Sequence, residues 1–296
     1  MAKLIDGQKL AKKIKDDIVK EIIRLGSRPE LTRAQNIIRM PRPNLAIIMV
    51  GQRPDSALYV KIKQREAKKI GIDTHLYKCD TQIDEREVFS LIEYLNQDDL
   101  IDAILVQLPL PAGFDTDGII QAIDPTKDVD RFHPNNLEIL FKNCQHKTVM
   151  PPVFAAVLEI FKSLNYNLTD QKICLVVNSD IFGRGLAKVL VCRGAQVNLI
   201  KPSNKNLTSK VKTANVLITA VGQKHFIKKN MVKDGAIVID IGITWEDEKV
   251  YGDVDPAVSS KADYLTPVPG GIGPLTVAML FKNTLALYKK RRGLKS

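Results

Sequence analysis

The sequence predicts an α/β protein of two domains, each built on a parallel sheet crossed by helices. Three observations predict this. Short, continuous apolar runs stop at Gly or Pro, as strands buried on both faces do; stretches with apolar residues at helical spacing lie between them; and a second series of the same alternation begins after Pro152. The chain has 296 residues, of which 45% are hydrophobic and 26% charged, enough apolar material for two cores.

From the N-terminus, Leu10, Ile14, Ile18 and Ile22 mark one face of a helix over Leu4–Leu25. Gly26–Pro43, rich in Pro and Arg, reads as a loop or partly ordered insertion. A buried strand over Leu45–Gly51, a helix over Ser56–Gly71, a strand near Thr74–Tyr77, a helix over Glu85–Leu95 and a strand over Ile101–Val106 follow, the last stopped by Pro109 and Pro111. In the second series Ala155–Leu164 reads as a helix bridging two domains. Strands are expected at Lys172–Val177, Gln196–Ile200, Asn215–Val221, Gly235–Ile243 and Ala262–Leu265, with a helix at Arg184–Arg193, a dinucleotide-fold rhythm. A final helix, Leu275–Tyr288, is expected to pack back on the first domain. The domains are therefore 1–152 plus 275–296, and 153–274.

The formal charge of +11 favours anionic partners. Nucleic acid is a poor match, because the bases are dispersed and few aromatics lie among them; Lys289-Lys290-Arg291-Arg292 is more simply a helix end favoured by the helix dipole. No apolar run is long enough to span a bilayer, and Asp6 and Gly7 come too early for a signal peptide, so a cytoplasmic protein is expected. Cys79, Cys144, Cys174 and Cys192 form no close pair, and His75, His133, His146 and His225 no ligand spacing, so neither a disulfide nor a metal site is expected.

Four segments carry candidate chemistry. Tyr59 and Lys63 share a helix face just after a strand, where open parallel sheets bind ligands; a Tyr there stacks on flat rings, and a Lys gives or takes a proton when burial lowers its pKa. Alone, the pair is better explained as a surface helix of a Lys-rich chain. Val106-Gln107-Leu108 sits where a strand ends against prolines; the Gln amide offers donor and acceptor to a lysine or a carbonyl, and a plain strand end explains it as well. Lys127-Asp128-Val129-Asp130 places two acids in a turn, either a carboxylate for adjacent ring N–H groups or a capping loop. Pro267-Val268-Pro269-Gly270-Gly271-Ile272-Gly273-Pro274-Leu275-Thr276 is a rigid Gly/Pro turn opening a helix, whose N-terminus suits an anion or a cofactor amide.

These segments, in this order, resemble the bifunctional methylenetetrahydrofolate dehydrogenase/methenyltetrahydrofolate cyclohydrolases, the FolD type, almost end to end. Ala220-Val221-Gly222, Ile239-Asp240-Ile241-Gly242-Ile243 and Gly252-Asp253-Val254 extend the match. The resemblance implies an N-terminal folate-binding catalytic domain and a C-terminal Rossmann-like NAD(P)-binding domain. It implies catalysis by Lys63, a Gln107 that sets the lysine's protonation, a Tyr59 that stacks on folate and an Asp130 that holds the pterin. Val106, Leu108, Pro269, Gly270 and Gly271 join the expected substrate contacts. The cofactor contacts expected are Asn178, Ser179, Gly183, Arg184, Lys201, Ser203, Val221, Gly222, Asp240, Ile241, Gly242, Ile243, Gly273 and Thr276. Tetrahydrofolate derivatives are the implied partners, in a cytoplasmic homodimer serving one-carbon metabolism and purine biosynthesis, with no metal.

The sequence departs from that pattern at the cofactor loop. Val177 stands for the first glycine of Gly-x-Ser-x-x-Val-Gly-x-Pro and Gly185 for its proline, which predicts a turn of changed shape. Arg131 follows Asp130 where glycine is usual, and Val149-Met150-Pro151-Pro152 replaces Pro-Cys-Thr-Pro. No acid follows the strand ending Leu199-Ile200; Lys201, Ser203 or Arg184 would instead meet a 2′-phosphate, so NADP is expected, with NAD as the alternative. The rival readings are a cyclohydrolase whose dinucleotide domain has become structural, a basic nucleic-acid-binding protein, and an unrelated dehydrogenase of small acids.

Overall fold

The computed structural model describes residues 1–26, 42–143 and 149–294. In chain order the first elements are β1 (Lys3–Leu4), α1 (Gly7–Gly26), β2 (Asn44–Val50), α2 (Pro54–Ile70), β3 (Asp73–Cys79), α3 (Glu85–Gln97) and β4 (Ala103–Val106). Then come α4 (Thr116–Ala122), α5 (Pro134–Lys142), α6 (Pro152–Ser163), β5 (Lys172–Val177), α7 (Asp180–Val191), β6 (Gln196–Ile200) and α8 (Leu207–Lys212). The chain closes with β7 (Val216–Ala220), β8 (Ile237–Asp240), β9 (Thr244–Glu246), β10 (Lys249–Tyr251), β11 (Tyr264–Leu265) and α9 (Ile272–Arg291).

Two compact units result. The first is drawn from Met1–Ala11, Ile139–Thr148 and Val153–Thr276, as far as these are described; the second from Lys12–Glu138, Val149–Pro152 and Val277–Ser296. The stretch expected to be a loop or insertion, Gly26–Pro43, lies outside the described residues from 27 to 41.

The second unit holds a parallel sheet in the order β3-β2-β4. Its central strand needs apolar side chains on both faces, and Leu45 through Val50 are all buried. Helix α2 starts with Pro54, whose missing N–H costs nothing in a first turn, and ends at Gly71, whose φ of 81° suits a residue without Cβ. Asp84 caps α3 by accepting from Arg86 N. The later part of α9 is buried around most of its circumference and belongs to this unit, with Ala278, Met279, Leu280, Phe281, Leu285 and Leu287 in the core. Asn283 Nδ2 donates to Val129 O at 3.0 Å and to Met150 O at 2.9 Å, and Lys289 bonds Glu21 at 2.7 Å, so the last helix is tied to α1 and to the Asp130 turn.

Lys127 is fully buried, and its ammonium donates to Leu95 O at 2.8 Å and Asp98 O at 2.7 Å, satisfying the open carbonyls at the end of α3. Lys127→Met removes both bonds and leaves the carbonyls unpaired; a loss of about 2 kcal/mol in chemical denaturation is expected. An unchanged denaturation midpoint would contradict this role.

The first unit carries a parallel sheet ordered β1-β11-β8-β7-β5-β6. Strand β6 lies on one side of β5 and β7 on the other, so the winding reverses at β5, and the crevice at the carboxyl ends of β5 and β7 is a ligand position of such sheets. The expected strand Gly235–Ile243 is shorter, ending at Asp240, and an antiparallel hairpin of β9 and β10 follows it. Asp247 and Glu248, at φ 49° and 60°, make its turn. The short helices α4, α5 and α8 and the edge strand β1 were not expected: each is too brief to show a period. Cys192 is disulfide-bonded, which corrects the expectation of no disulfide; pairing follows tertiary approach rather than spacing. Among the described residues no helix is long and apolar enough to cross a membrane.

Candidate active site

In the second unit, four expected residues converge. The ladder of β4 continues one residue past its end, with Gln107 N donating to Ile48 O at 2.8 Å, and this fixes where the Gln107 side chain starts. Lys63, one turn beyond Tyr59 on α2, donates from Nζ to Gln107 Oε1 at 2.8 Å. Gln107 Nε2 in turn donates to Leu108 O at 2.7 Å. A lysine has no acceptor, so this pairing sets the amide: oxygen towards the ammonium, nitrogen towards the carbonyl.

Asp130 arrives by a different route. Residues 127–129 run beside β4, with Ile104 N donating to Lys127 O at 2.7 Å and Val129 N to Ile104 O at 3.3 Å. That pairing carries the next residue to the strand's carboxyl end. The two acids of the turn then separate in role. Asp128 is consumed: it accepts from Arg131 N and His133 N, both at 2.9 Å, and from Asn136 Nδ2 at 3.0 Å. Asp130 lines a small cavity with Val106, Leu108 and Phe132. Burial pushes its carboxyl up to about 6; the Lys63 charge opposes the rise, and Asp128 adds to it. Burial likewise lowers the Lys63 pKa, against the pull of Asp130. The Tyr59 phenol is raised by burial and then by the Asp55 charge. A lysine and a carboxyl thus share one low-dielectric site, each moved towards neutrality.

The cofactor candidates and the Pro267–Thr276 turn lie in the first unit. Val177 ends β5 opposite Ala220, and Ser179 caps α7 by accepting from Phe182 N. Asn178 bonds Val221 O through its amide, and Lys201 Nζ reaches Asn178 O at 2.5 Å and Asp180 at 2.8 Å. Arg184 and Ser203 are exposed. A Cβ on Gly183 would stand 2.6 Å from Val177 Cγ2 and 2.8 Å from Leu199 Cδ1, so only glycine lets α7 sit this close to the sheet. Val221, Gly222 (φ 73°), Ile241, Gly242 and Ile243 follow the ends of β7 and β8. In the Gly/Pro turn, Gly271 N donates to Pro267 O at 2.8 Å, and Gly270 has φ 104°. Thr276 Oγ1 bonds back to Ile272 O at 3.0 Å. Gly273 has open space where a Cβ would stand.

Two family models match the chain: the catalytic domain of tetrahydrofolate dehydrogenase/cyclohydrolase over residues 5–130, and its NAD(P)-binding domain over 151–292. This chain belongs to the tetrahydrofolate dehydrogenase/cyclohydrolase family. Among its relatives, a bifunctional protein FolD of Nitratiruptor sp. is 41% identical, covering 98% of this chain and 99% of that protein. The crystal structure of the bifunctional FolD from Campylobacter jejuni superposes with a TM-score of 0.89 at 35% identity, covering 98% of this chain and all of the other. FolD of Trypanosoma brucei, solved with NADP and an inhibitor, gives a TM-score of 0.89 at 29% identity, covering 98% of each chain.

The departures from the family pattern are accommodated locally. Val177 lies within the β5 ladder rather than at positive φ, and the chain turns after it, at Asn178 and Ser179. Gly185 replaces the family's proline where Phe154 takes the space, since a Cβ there would meet its ring at 2.9 Å. Arg131, standing for glycine, adopts φ 61°. That conformation costs a side chain about 1 kcal/mol, and bonds from its backbone N–H to Asp128 and from its guanidinium to Pro125 O offset it.

Asp240 ends β8. Its carboxyl is buried and accepts from Gly242 N at 3.0 Å, Asp253 N at 3.1 Å and Val254 N at 2.9 Å, leaving it turned inward. Burial pushes it up to about 7, and the Asp253 charge adds to the rise. Asp253, quoted in the family match with no role attached, is the residue that sequence reasoning missed. It is fully buried, and in the sequence only its place in Gly252-Asp253-Val254 marks it.

Proposed function

We propose that Lys63, Gln107, Tyr59 and Asp130 form the folate site of a bifunctional enzyme. It oxidises 5,10-methylenetetrahydrofolate to the 5,10-methenyl cation with NADP and then hydrolyses that cation to 10-formyltetrahydrofolate. The observation that carries this reading is the part-buried Lys63 Nζ to Gln107 Oε1 bond at 2.8 Å, with the Asp130 carboxyl acting on the same lysine.

The roles follow from those groups. An ionised Asp130 accepts paired N–H bonds from the pterin ring, and the Tyr59 ring stacks on the heterocycle. Oxidation removes a hydride from the bridging carbon; bound NADP supplies the acceptor. A water then adds to the methenyl carbon and must lose a proton. Lys63, shifted towards its neutral amine by burial, accepts that proton, and Gln107 keeps the amine aimed. The proton then passes to the ring nitrogen whose bond to the one-carbon unit breaks; the adduct's remaining hydroxyl releases its proton to solvent as the carbonyl forms, which leaves the formyl group on the other nitrogen.

The first unit fits the dinucleotide. Gly183 permits close helix–sheet packing at the switch point, and no acid follows Ile200 to take a ribose 2′-hydroxyl. Lys201, Ser203 and Arg184 instead would hold a 2′-phosphate. We place the enzyme in the cytoplasm as a homodimer, supplying one-carbon units for purine biosynthesis. The test is initial rates of methylenetetrahydrofolate oxidation with NADP and with NAD. A higher kcat/KM with NADP is expected, and a higher value with NAD would overturn the cofactor assignment.

A further inference from the structure

Successive backbone N–H groups that point one way form a nest that attracts an anion. At the end of β7, Val221 N, Gly222 N and Gln223 N make such a nest, and the chain fills it with its own carboxylate. Asp253 Oδ2 accepts from Val221 N at 2.6 Å and from Thr219 Oγ1 at 2.8 Å. Its Oδ1 accepts from Gly222 N at 2.8 Å and from Gln223 N at 3.0 Å. The residue is fully buried.

Asp253 is itself held by a second aspartate. Its backbone N–H donates to Asp240 Oδ1, which also takes Gly242 N, while Asp240 Oδ2 takes Val254 N. The backbone N–H of Asp240 donates to Thr266 Oγ1 at 2.7 Å, immediately before the Gly/Pro turn. Two glycines make the interlock sterically possible. A Cβ on Gly242 would lie 2.0 Å from the Asp253 carboxyl carbon, and one on Gly252 would lie 2.1 Å from Asp240 Oδ2. The loops after β7, β8 and β10 and the residue opening the Gly/Pro turn are therefore fixed to one another by two buried side chains, neither of which points outward.

We propose that Asp253, supported by Asp240, is a positioning residue for the dinucleotide: it sets the conformation of Val221-Gly222 and of Ile241-Gly242-Ile243 without touching the cofactor. This rests on the reading that those loops bind NADP. A charged acceptor is required, since an asparagine offers one oxygen and one donor and cannot serve N–H groups on both sides.

The test compares steady-state parameters of the full-length wild type, Asp253→Asn and Thr219→Val, with thermal unfolding as the check on folding. For Asp253→Asn the KM for NADP is expected to rise about tenfold or more, the loss of a charge-assisted bond, while the KM for methylenetetrahydrofolate moves by less than about twofold. Thr219→Val removes only the hydroxyl donor and is expected to raise the KM for NADP about threefold; it carries the test if Asp253→Asn does not fold. Equal rises in both KM values, or a folded Asp253→Asn with unchanged KM for NADP, overturn the proposal. A wild type with no NADP-dependent turnover would instead overturn the reading of the loops beneath it.

Discussion

Lys63→Ala is expected to lower kcat for methenyltetrahydrofolate hydrolysis by about 10²- to 10⁴-fold, the range for loss of a placed proton-transfer group, with oxidation also strongly reduced. The substitution removes an ammonium whose one hydrogen bond among the described residues is to Gln107 at 2.8 Å, so the fold has little reason to fail. Thermal unfolding close to wild type is expected alongside the lost activity. Lys63→Arg separates charge from proton transfer. A guanidinium keeps the positive charge but does not deprotonate, so an inactive Lys63→Arg points to proton transfer and an active one to charge alone. The same site predicts a pH profile. Asp130, ordinarily near 3.8, is pushed up to about 6, so kcat/KM for folate is expected to fall as the pH drops through about 6 and the carboxylate that binds the pterin is lost. Asp130→Asn should remove that limb. The stability effect runs the other way: a raised carboxyl favours the fold below its unfolded value, and the contribution is lost as pH rises from about 4 through about 6.

Gly7→Ala is expected to destabilise the protein by about 1–3 kcal/mol, a fall of several degrees in melting temperature. Gly7 opens α1, and a Cβ there would stand 1.7 Å from Gly271 O and 2.9 Å from Gly270 O. Both obstacles are backbone, so no side chain can swing aside. The turn has no slack to give, because Gly271 N is held by Pro267 O and a Cβ on Gly271 itself would meet that oxygen at 2.5 Å. Gly273→Ala is the control in the same segment. Nothing lies within 4 Å of its Cβ position, and it is already helical, so its stability should be unchanged or higher by up to about 1 kcal/mol. Comparable losses for both variants, read by thermal unfolding, would contradict the close approach of Gly7 to the turn.

The central strands of both sheets were legible because they are buried on both faces and so read as apolar runs: Leu45–Val50 and Lys172–Val177 needed no other signal. Tyr59, Lys63 and Gln107 were legible as a helix face and a strand end, and the fold brings lysine and glutamine within bonding distance. The division of labour between Asp128 and Asp130 was not legible. It depends on backbone donors at Arg131 and His133 that exist only once the turn has formed. Asp253 was hidden for the same reason: its partners, Thr219 through Gln223, are distant in sequence and are mostly backbone N–H groups, which carry no residue signature. Lys127 carried no reading of its own in the sequence, since only the fold brings its ammonium to the carbonyls of Leu95 and Asp98, where it caps a helix from inside.

The most direct test of the account is one reaction followed in two channels. Purified protein is given 5,10-methylenetetrahydrofolate and NADP, with NADPH and methenyltetrahydrofolate recorded together against a buffer blank. The account predicts NADPH accumulating while methenyl stays low and 10-formyltetrahydrofolate appears, because one chain both oxidises and hydrolyses. Methenyl accumulating in step with NADPH, or added methenyl disappearing no faster than in buffer, would contradict it.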